Sequence, residues 1–206
     1  MFCARQCMLV SMEKSWYRKF FSHPQNPEPE VVAPGTDYGD AEVQFHMGLK
    51  FANGAGATRD YAQAAEWYHK AAAQSHSLAQ FNLGMMYAQG QGVTRDVAQS
   101  VMWLGRSARL GDAGAQFNLG ESCHRSSLRG ARKDAPESRI EAYKWYRLAA
   151  AQGYLHSETA YNTLTLNMTR EDVADGNRRV AEFKVEKPER ALDIPAFTSR
   201  PQTQSP

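Results

Sequence analysis

Isoleucine is scarce: only Ile140 and Ile194 occur in 206 residues, beside ten valines and 29 alanines. Strands draw on β-branched residues and alanine is the best helix former, so a sandwich or barrel is disfavoured and an all-α chain is expected. Charge of one sign is lacking too, with 24 Lys+Arg against 22 Asp+Glu and a net charge of +2. So small a field does little to neutralise phosphates, which argues against a nucleic-acid partner. No apolar run approaches the roughly 18 residues needed to cross a bilayer, so no integral membrane segment is expected. The three cysteines, Cys3, Cys7 and Cys123, cannot pair completely and lack the spacing of a disulfide framework, which points to a reducing, cytoplasmic compartment. The opening MFCARQCMLV is broken by Arg5 and Gln6 before an apolar core forms, so no secretion signal is read.

Proline is missing from the middle of the chain. Eight of nine lie outside residues 40–187, as expected if that stretch is built of helices whose interiors expel proline. Residues 1–39 read as a short amphipathic segment followed by a Pro-rich linker, residues 40–183 as the folded unit, and residues 184–206 as a disordered tail. Pro136 precedes a helical pattern and suits a first-turn position.

What is present between those boundaries is a repeat. DAEVQFHMGLKFANGAGATRDYAQAAEWYHKAAAQS (40–75) is followed by HSLAQFNLGMMYAQGQGVTRDVAQSVMWLGRSARLG (76–111). A third copy, DAGAQFNLGESCHRSSLRGARKDAPESRIEAYKWYRLAAAQG, fills 112–153. Gln44, Phe45 and Gly48 recur as Gln80, Phe81, Gly84 and as Gln116, Phe117, Gly120, and Trp67 recurs as Trp103 and Trp145. Each copy divides into two helices. Gly54 with Gly56, and Gly90 with Gly92, end the first helix by taking the left-handed cap, and Asp60 and Asp96 start the second, where a carboxylate satisfies free N–H groups. The extra residues of the third copy are expected between its helices, in RSSLRGARKD. Gly48, Gly84 and Gly120 let helices approach closely, and the three tryptophans fill the core between pairs. Stacked pairs need a polar-backed cap, which residues 154–183 supply: HSETAYNTLTLN as a degraded first helix, then a helix capped by Thr169 with Val173, Val180 and Phe183 facing inward.

These residues resemble the Sel-1-like repeats, a family close to the tetratricopeptide repeats. The second copy carries the likeness best, with Ala79, Leu83, Gly84, Tyr87, Gly90, Gly92, Val93, Asp96, Trp103 and Ala108 at the characteristic spacings. The resemblance implies an α/α solenoid, a right-handed superhelix of three repeats plus a C-terminal capping helix pair. It also implies a role as a protein–protein interaction module, an adaptor or scaffold whose concave groove takes a protein or peptide partner. One branch of the family is cysteine-rich and binds or hydrolyses β-lactams, which makes a hydrolase on the same scaffold the alternative. Here the first two repeats hold no cysteine, and Cys123 stands alone where the other copies have Phe51 and Tyr87.

Residues of catalytic type give no motif. The six histidines form no metal or nucleophile pattern, and the neighbours Cys123 and His124 point about 100° apart on a helix, so Cys123 reads as a packing thiol. Cys3 and Cys7 lack a second pair of zinc ligands. No enzyme, metal or cofactor is expected. The binding surface is instead expected along the first helices, laid on the tetratricopeptide pattern: Glu42, Phe45, Leu49 and Asn53; Phe81, Met85 and Gln89; Phe117, Glu121 and Arg125. The phenylalanines there suit the groove and the core equally, whereas Asn53, Gln89 and Arg125 are expected to face solvent. Two peripheral features remain. Met12, Trp16 and Phe20, beside Lys14, Arg18 and Lys19, form an N-terminal helical face able to dock on a partner or surface. The third-copy insertion, with Arg125, Arg129, Arg132, Lys133 and Arg139, is either a patch for an acidic partner or, by preference, a solvated loop.

Overall fold

The computed structural model describes residues 39–54, 58–129 and 135–187. The chain divides into Met1–Val32, which lies outside the described residues together with the expected docking face at Met12, Trp16 and Phe20, and Ala33–Pro206. Among the described residues there are eight helices and no strand: α1 (Ala41–Asn53), α2 (Tyr61–Ala73), α3 (Ser77–Gln89), α4 (Val97–Arg109), α5 (Ala113–Arg129), α6 (Ala135–Ala151), α7 (Ser157–Thr165) and α8 (Arg170–Glu182). Each of the first six packs on its neighbours in sequence, and α7 and α8 both pack on α6, which is the nearest-neighbour stacking of an all-α solenoid.

The helix ends form as the sequence dictates. Asp40, Asp60 and Asp96 accept the first free amide N–H groups of α1, α2 and α4, and Thr169 with Asp172 makes a capping box on α8. Gly54 and Gly90 take left-handed conformations, with φ of 72° and 73°, and close α1 and α3. Gly92 has a second duty. A side chain there would run into the backbone carbonyl of Tyr61, so the loop of the second repeat lies directly on the start of α2.

Glycine packing holds each pair together. A Cβ on Gly48 would meet the ring of Tyr68, one on Gly84 would meet Leu104, and one on Gly120 would meet the ring of Tyr146, always from first helix to second. Gly176 likewise lies against the ring of Tyr143, so this glycine in the last helix is required by packing. Between pairs the recurring glutamines act. Gln80 Nε2 donates to the carbonyl of Ala72 at 3.0 Å, and Gln116 Nε2 to the carbonyl of Ala108 at 3.2 Å, each reaching back to the preceding repeat. Trp103 and Trp145 are buried as expected, whereas Trp67 is only half-buried beneath Lys70.

The third repeat departs from expectation. Its extra residues do not all sit in a loop: α5 and α6 have 17 residues each where α1 to α4 have 13, so both helices gain about one turn. Residues 184–187 run back to the second repeat, where the Glu186 N–H donates to the carbonyl of Arg109 at 2.9 Å and its carboxylate pairs with the Arg109 guanidinium at 3.1 Å. Phe183 meets Trp145 edge-on at 5.7 Å on the way. Residues 188–206, the rest of the expected tail, lie outside the described residues.

Candidate functional site

The first helices bring one equivalent position per repeat to the surface, at the last residue of α1 and α3 and one turn before the end of the longer α5. Asn53, Gln89 and Arg125 are exposed there, at intervals of one 36-residue repeat. Glu42 in the first turn of α1 is exposed as well, and Glu121 is half-buried, its carboxylate accepting the Tyr146 hydroxyl at 2.6 Å.

The apolar residues of the expected surface lie beneath it. Phe45, Leu49 and Phe81 are buried, Met85 nearly so, and Phe117 is half-buried, so these side chains floor the surface instead of lining it. Over the first and third of these phenylalanines lies the residue that follows the copy. His76 folds over Phe45 with ring centroids 4.6 Å apart and planes at 23°, and Tyr154 takes the same place against Phe117 at 5.5 Å.

His76 also joins the first two repeats by hydrogen bonds. Its Nδ1 accepts the amide N–H of Ala79, capping α3, which places the proton of the neutral ring on Nε2. Nε2 then donates to Glu42 Oε2 at 3.0 Å, while His46 Nε2 lies 3.2 Å from Glu42 Oε1. Two imidazoles on one carboxylate suggest a metal, but a ring that caps through Nδ1 and keeps its proton on Nε2 has no lone pair for an ion. Among the described residues no group of three or more His, Cys, Asp or Glu is placed to hold one. The spacing of Asp40, His76 and Asp112, 36 residues apart, is the sequence signal that marks His76 as a helix cap.

The candidate nucleophile is unsuited to attack. Cys123 is half-buried against Tyr143, Tyr146 and Leu164, and burial, with the Glu141 carboxylate nearby, pushes its thiol above the usual range. Tyr146 is driven far up by burial and then by its bond to Glu121, so its phenol stays protonated. Burial alone would raise Glu141, yet hydrogen bonds from Lys144 and Arg179 bring it below the ordinary carboxylate range. Asp112, buried at the start of α5, is pushed up to about 6 by its burial, against the opposing amides of Ala115 and Gly114. Neither carboxylate is paired with a nucleophile.

The network at the C-terminal end was not legible in the sequence. Arg179 of α8 donates to Glu137 and Glu141 of α6, each at 2.6 Å, and pairs with Asp175 on its own helix at 2.8 Å. These partners lie about 40 positions away in sequence and carry no motif.

Comparison with known proteins agrees with this architecture. The model of the Sel1 repeat matches residues 41–76, 77–112 and 113–154. No curated protein matches the chain. Among solved structures, a protective antigen present in uropathogenic Escherichia coli strains and displaying an SLR fold is 31% identical, with a TM-score of 0.56 over 70% of this chain. The match spans 31% of that antigen's length. A Sel1 repeat protein from Oxalobacter formigenes is 34% identical, with a TM-score of 0.52 over 61% of this chain and 90% of its own.

Proposed function

This chain belongs to the Sel1 repeat family, and from that premise we propose that it is a non-catalytic protein–protein interaction module, an adaptor or scaffold. The partner, a protein or peptide, docks across the last turns of α1 and α3 and the equivalent turn of α5, with Asn53, Gln89 and Arg125 as register-setting contacts and Glu42 and Glu121 at the edges. Phe45, Leu49, Phe81, Met85 and Phe117 support that face from beneath. The observation that carries the reading is the recurrence of an exposed polar side chain at one position in three successive repeats over a buried floor. Such a row supplies regularly spaced donors and acceptors on rigid helices, which is what recognition of an extended or helical segment needs. The module works in the cytoplasm, where Cys123 stays a thiol. The hydrolase alternative gains nothing from the site, because its one cysteine among the described residues is held protonated by burial and by the nearby Glu141 carboxylate.

The test is affinity capture with the full chain and with Asn53→Ala/Gln89→Ala/Arg125→Ala, quantified by mass spectrometry. The helical signal and melting temperature should match the parent, and partners that depend on the face should be depleted. Each contact near the interface centre should contribute about 1 to 2 kcal/mol. Capture of the same proteins at the same affinity by the triple variant would remove this face from consideration.

A further inference from the structure

Residues 183–187 leave α8 as extended chain and lie on a seat made by α4, α6 and the turn between α4 and α5. Phe183, with φ of −65° and ψ of 129°, meets Trp145 of α6 edge-on at 5.7 Å. Val185 lies on Gly111 in the turn, where a Cβ on the glycine would stand 3.3 Å from Val185 Cγ1. Glu186 closes on Arg109, the last residue of α4, with its amide N–H 2.9 Å from the carbonyl and its carboxylate 3.1 Å from the guanidinium Nε. Alternate residues of an extended chain share a side, so Phe183 and Val185 reach the body together while Lys184 stays exposed.

Of the three copies, only the second offers this seat. The last residue of every copy is left-handed, at Ser75, Gly111 and Gly153, but the position of Arg109 is taken by Ala73 in the first copy and Ala151 in the third. At Gly153 the same bend stands with no atom within 4 Å of an added Cβ among the described residues. The hold on the segment is slight: Val185 is 61% exposed, and the side chains of Arg109 and Glu186 are 46% and 55% exposed. One amide hydrogen bond and an exposed ion pair keep a tethered segment in place because its local concentration is high, but they give a free segment little affinity.

Charge makes the segment a poor fit for its own seat. Arg106, three residues before Arg109, makes no ion pair among the described residues, and its buried Nη1 has no hydrogen-bond partner there. Burial and then the charge of Arg109 bring the Arg106 guanidinium below its ordinary range. The last turn of α4 therefore carries two guanidinium charges and one paired carboxylate, and the exposed charges nearest that carboxylate in sequence are Lys184 and Lys187. A segment with acidic side chains in place of the two lysines makes the same contacts without the repulsion.

We propose that Trp145, Gly111 and Arg109 form a docking site for an extended acidic segment of another protein, one with an aromatic residue, an apolar residue two positions on and a glutamate directly after it. Residues 183–187 are the chain's own weak occupant of that site, and the partner displaces them. Its aromatic ring takes the place of Phe183 on Trp145, and its carboxylates meet Arg109 and Arg106. The site lies at the start of α5, about three turns from Arg125, and stands whether or not the face that holds Asn53 and Gln89 binds a partner.

Fluorescence anisotropy with the full chain tests the proposal. The probe is a fluorescein-labelled peptide of residues 180–187 carrying Lys184→Glu and Lys187→Glu, compared with the peptide of unchanged sequence and with the acidic peptide in scrambled order. The acidic peptide should bind about tenfold more tightly than the unchanged one, and the scrambled one should not bind. Glu186→Ala in the full chain frees the site and should raise affinity for the acidic peptide about tenfold over the parent, with Phe183→Ala as a second way to release the segment. Arg109→Glu should abolish binding with the melting temperature in place, while Asn53→Ala/Gln89→Ala should bind as the parent does. No binding to Glu186→Ala or Phe183→Ala, equal binding of acidic and scrambled peptides, equal affinity in parent and released variants, or affinity unmoved by Arg109→Glu overturns the proposal. Loss confined to Asn53→Ala/Gln89→Ala overturns it in favour of the first-helix face, and self-association of the parent that Glu186→Ala abolishes overturns it in favour of a second copy of the chain.

Discussion

Gly48 lies against the ring of Tyr68 so closely that a Cβ on the glycine would stand 2.5 Å from Cδ1 and Cε1 of the tyrosine. The same approach recurs at Gly120 and Tyr146, where the distance would be 2.7 Å, and at Gly84 and Leu104, where it would be 2.9 Å. A contact repeated at one position in three copies sets the spacing of the two helices within every pair. Gly48→Ala and Gly120→Ala should therefore each cost about 1 to 3 kcal/mol through overpacking. Gly105→Ala should act in the opposite sense. Its Cβ would meet only the Arg109 guanidinium at 3.5 Å, so the gain in helix propensity, about 0.5 to 1 kcal/mol, survives. Urea unfolding of the three variants checks both signs.

Trp103 is buried between repeats, edge-on to His69 at 5.8 Å and under the guanidinium of Arg106 at 4.9 Å. Trp103→Ala should cost about 3 to 5 kcal/mol, because the neighbouring pairs cannot close over so large a void. Trp67→Ala, at the half-buried equivalent position, should cost less than half as much. Thermal melts followed by circular dichroism measure the difference.

Asp112 makes the second and third repeats sensitive to pH. Its carboxyl titrates at about 6 in the fold against an ordinary value of 3.8, so the folded state holds the proton more tightly than the unfolded chain. The stability it contributes is therefore full below pH 3.8 and is lost as pH rises through about 6. The loss should be on the order of 2 to 3 kcal/mol. Asp112→Asn keeps an oxygen to accept the Ala115 N–H and removes the titration. The difference in unfolding free energy between parent and variant should thus move in the variant's favour from pH 4.5 to pH 7.5, and a difference that stays flat would remove Asp112 as the source.

Arg179 ties the last helix to α6 through Glu137 and Glu141. Glu137 is largely exposed, and water screens its share, so Arg179→Ala should lower global stability by only about 1 kcal/mol. The local effect should be larger. Amide hydrogen exchange in α8 should rise ahead of exchange in α1 to α6, since α8 packs chiefly on α6.

The sequence by itself determined the helices and how each pair closes. Asp60, Asp96 and Thr169 start helices because a short polar side chain meets free N–H groups wherever it precedes one, and Gly54 and Gly90 end them because only glycine takes the left-handed cap without penalty. The recurrence of Gly48, Gly84 and Gly120 already stated where helices touch. Tertiary structure alone decided which side of a stripe faces inward between repeats. A period of 36 residues places Phe45, Phe81 and Phe117 in one column, but whether that column is wall or floor depends on what folds over it, and His76 and Tyr154 are brought over Phe45 and Phe117 by the turns that end the first and third copies. The return of residues 184–187 to Arg109 and the grip of Arg179 on Glu137 and Glu141 were likewise settled by contacts between distant residues. Local propensity acts over a turn or two of helix, and only the stacked pairs bring these groups within reach of each other.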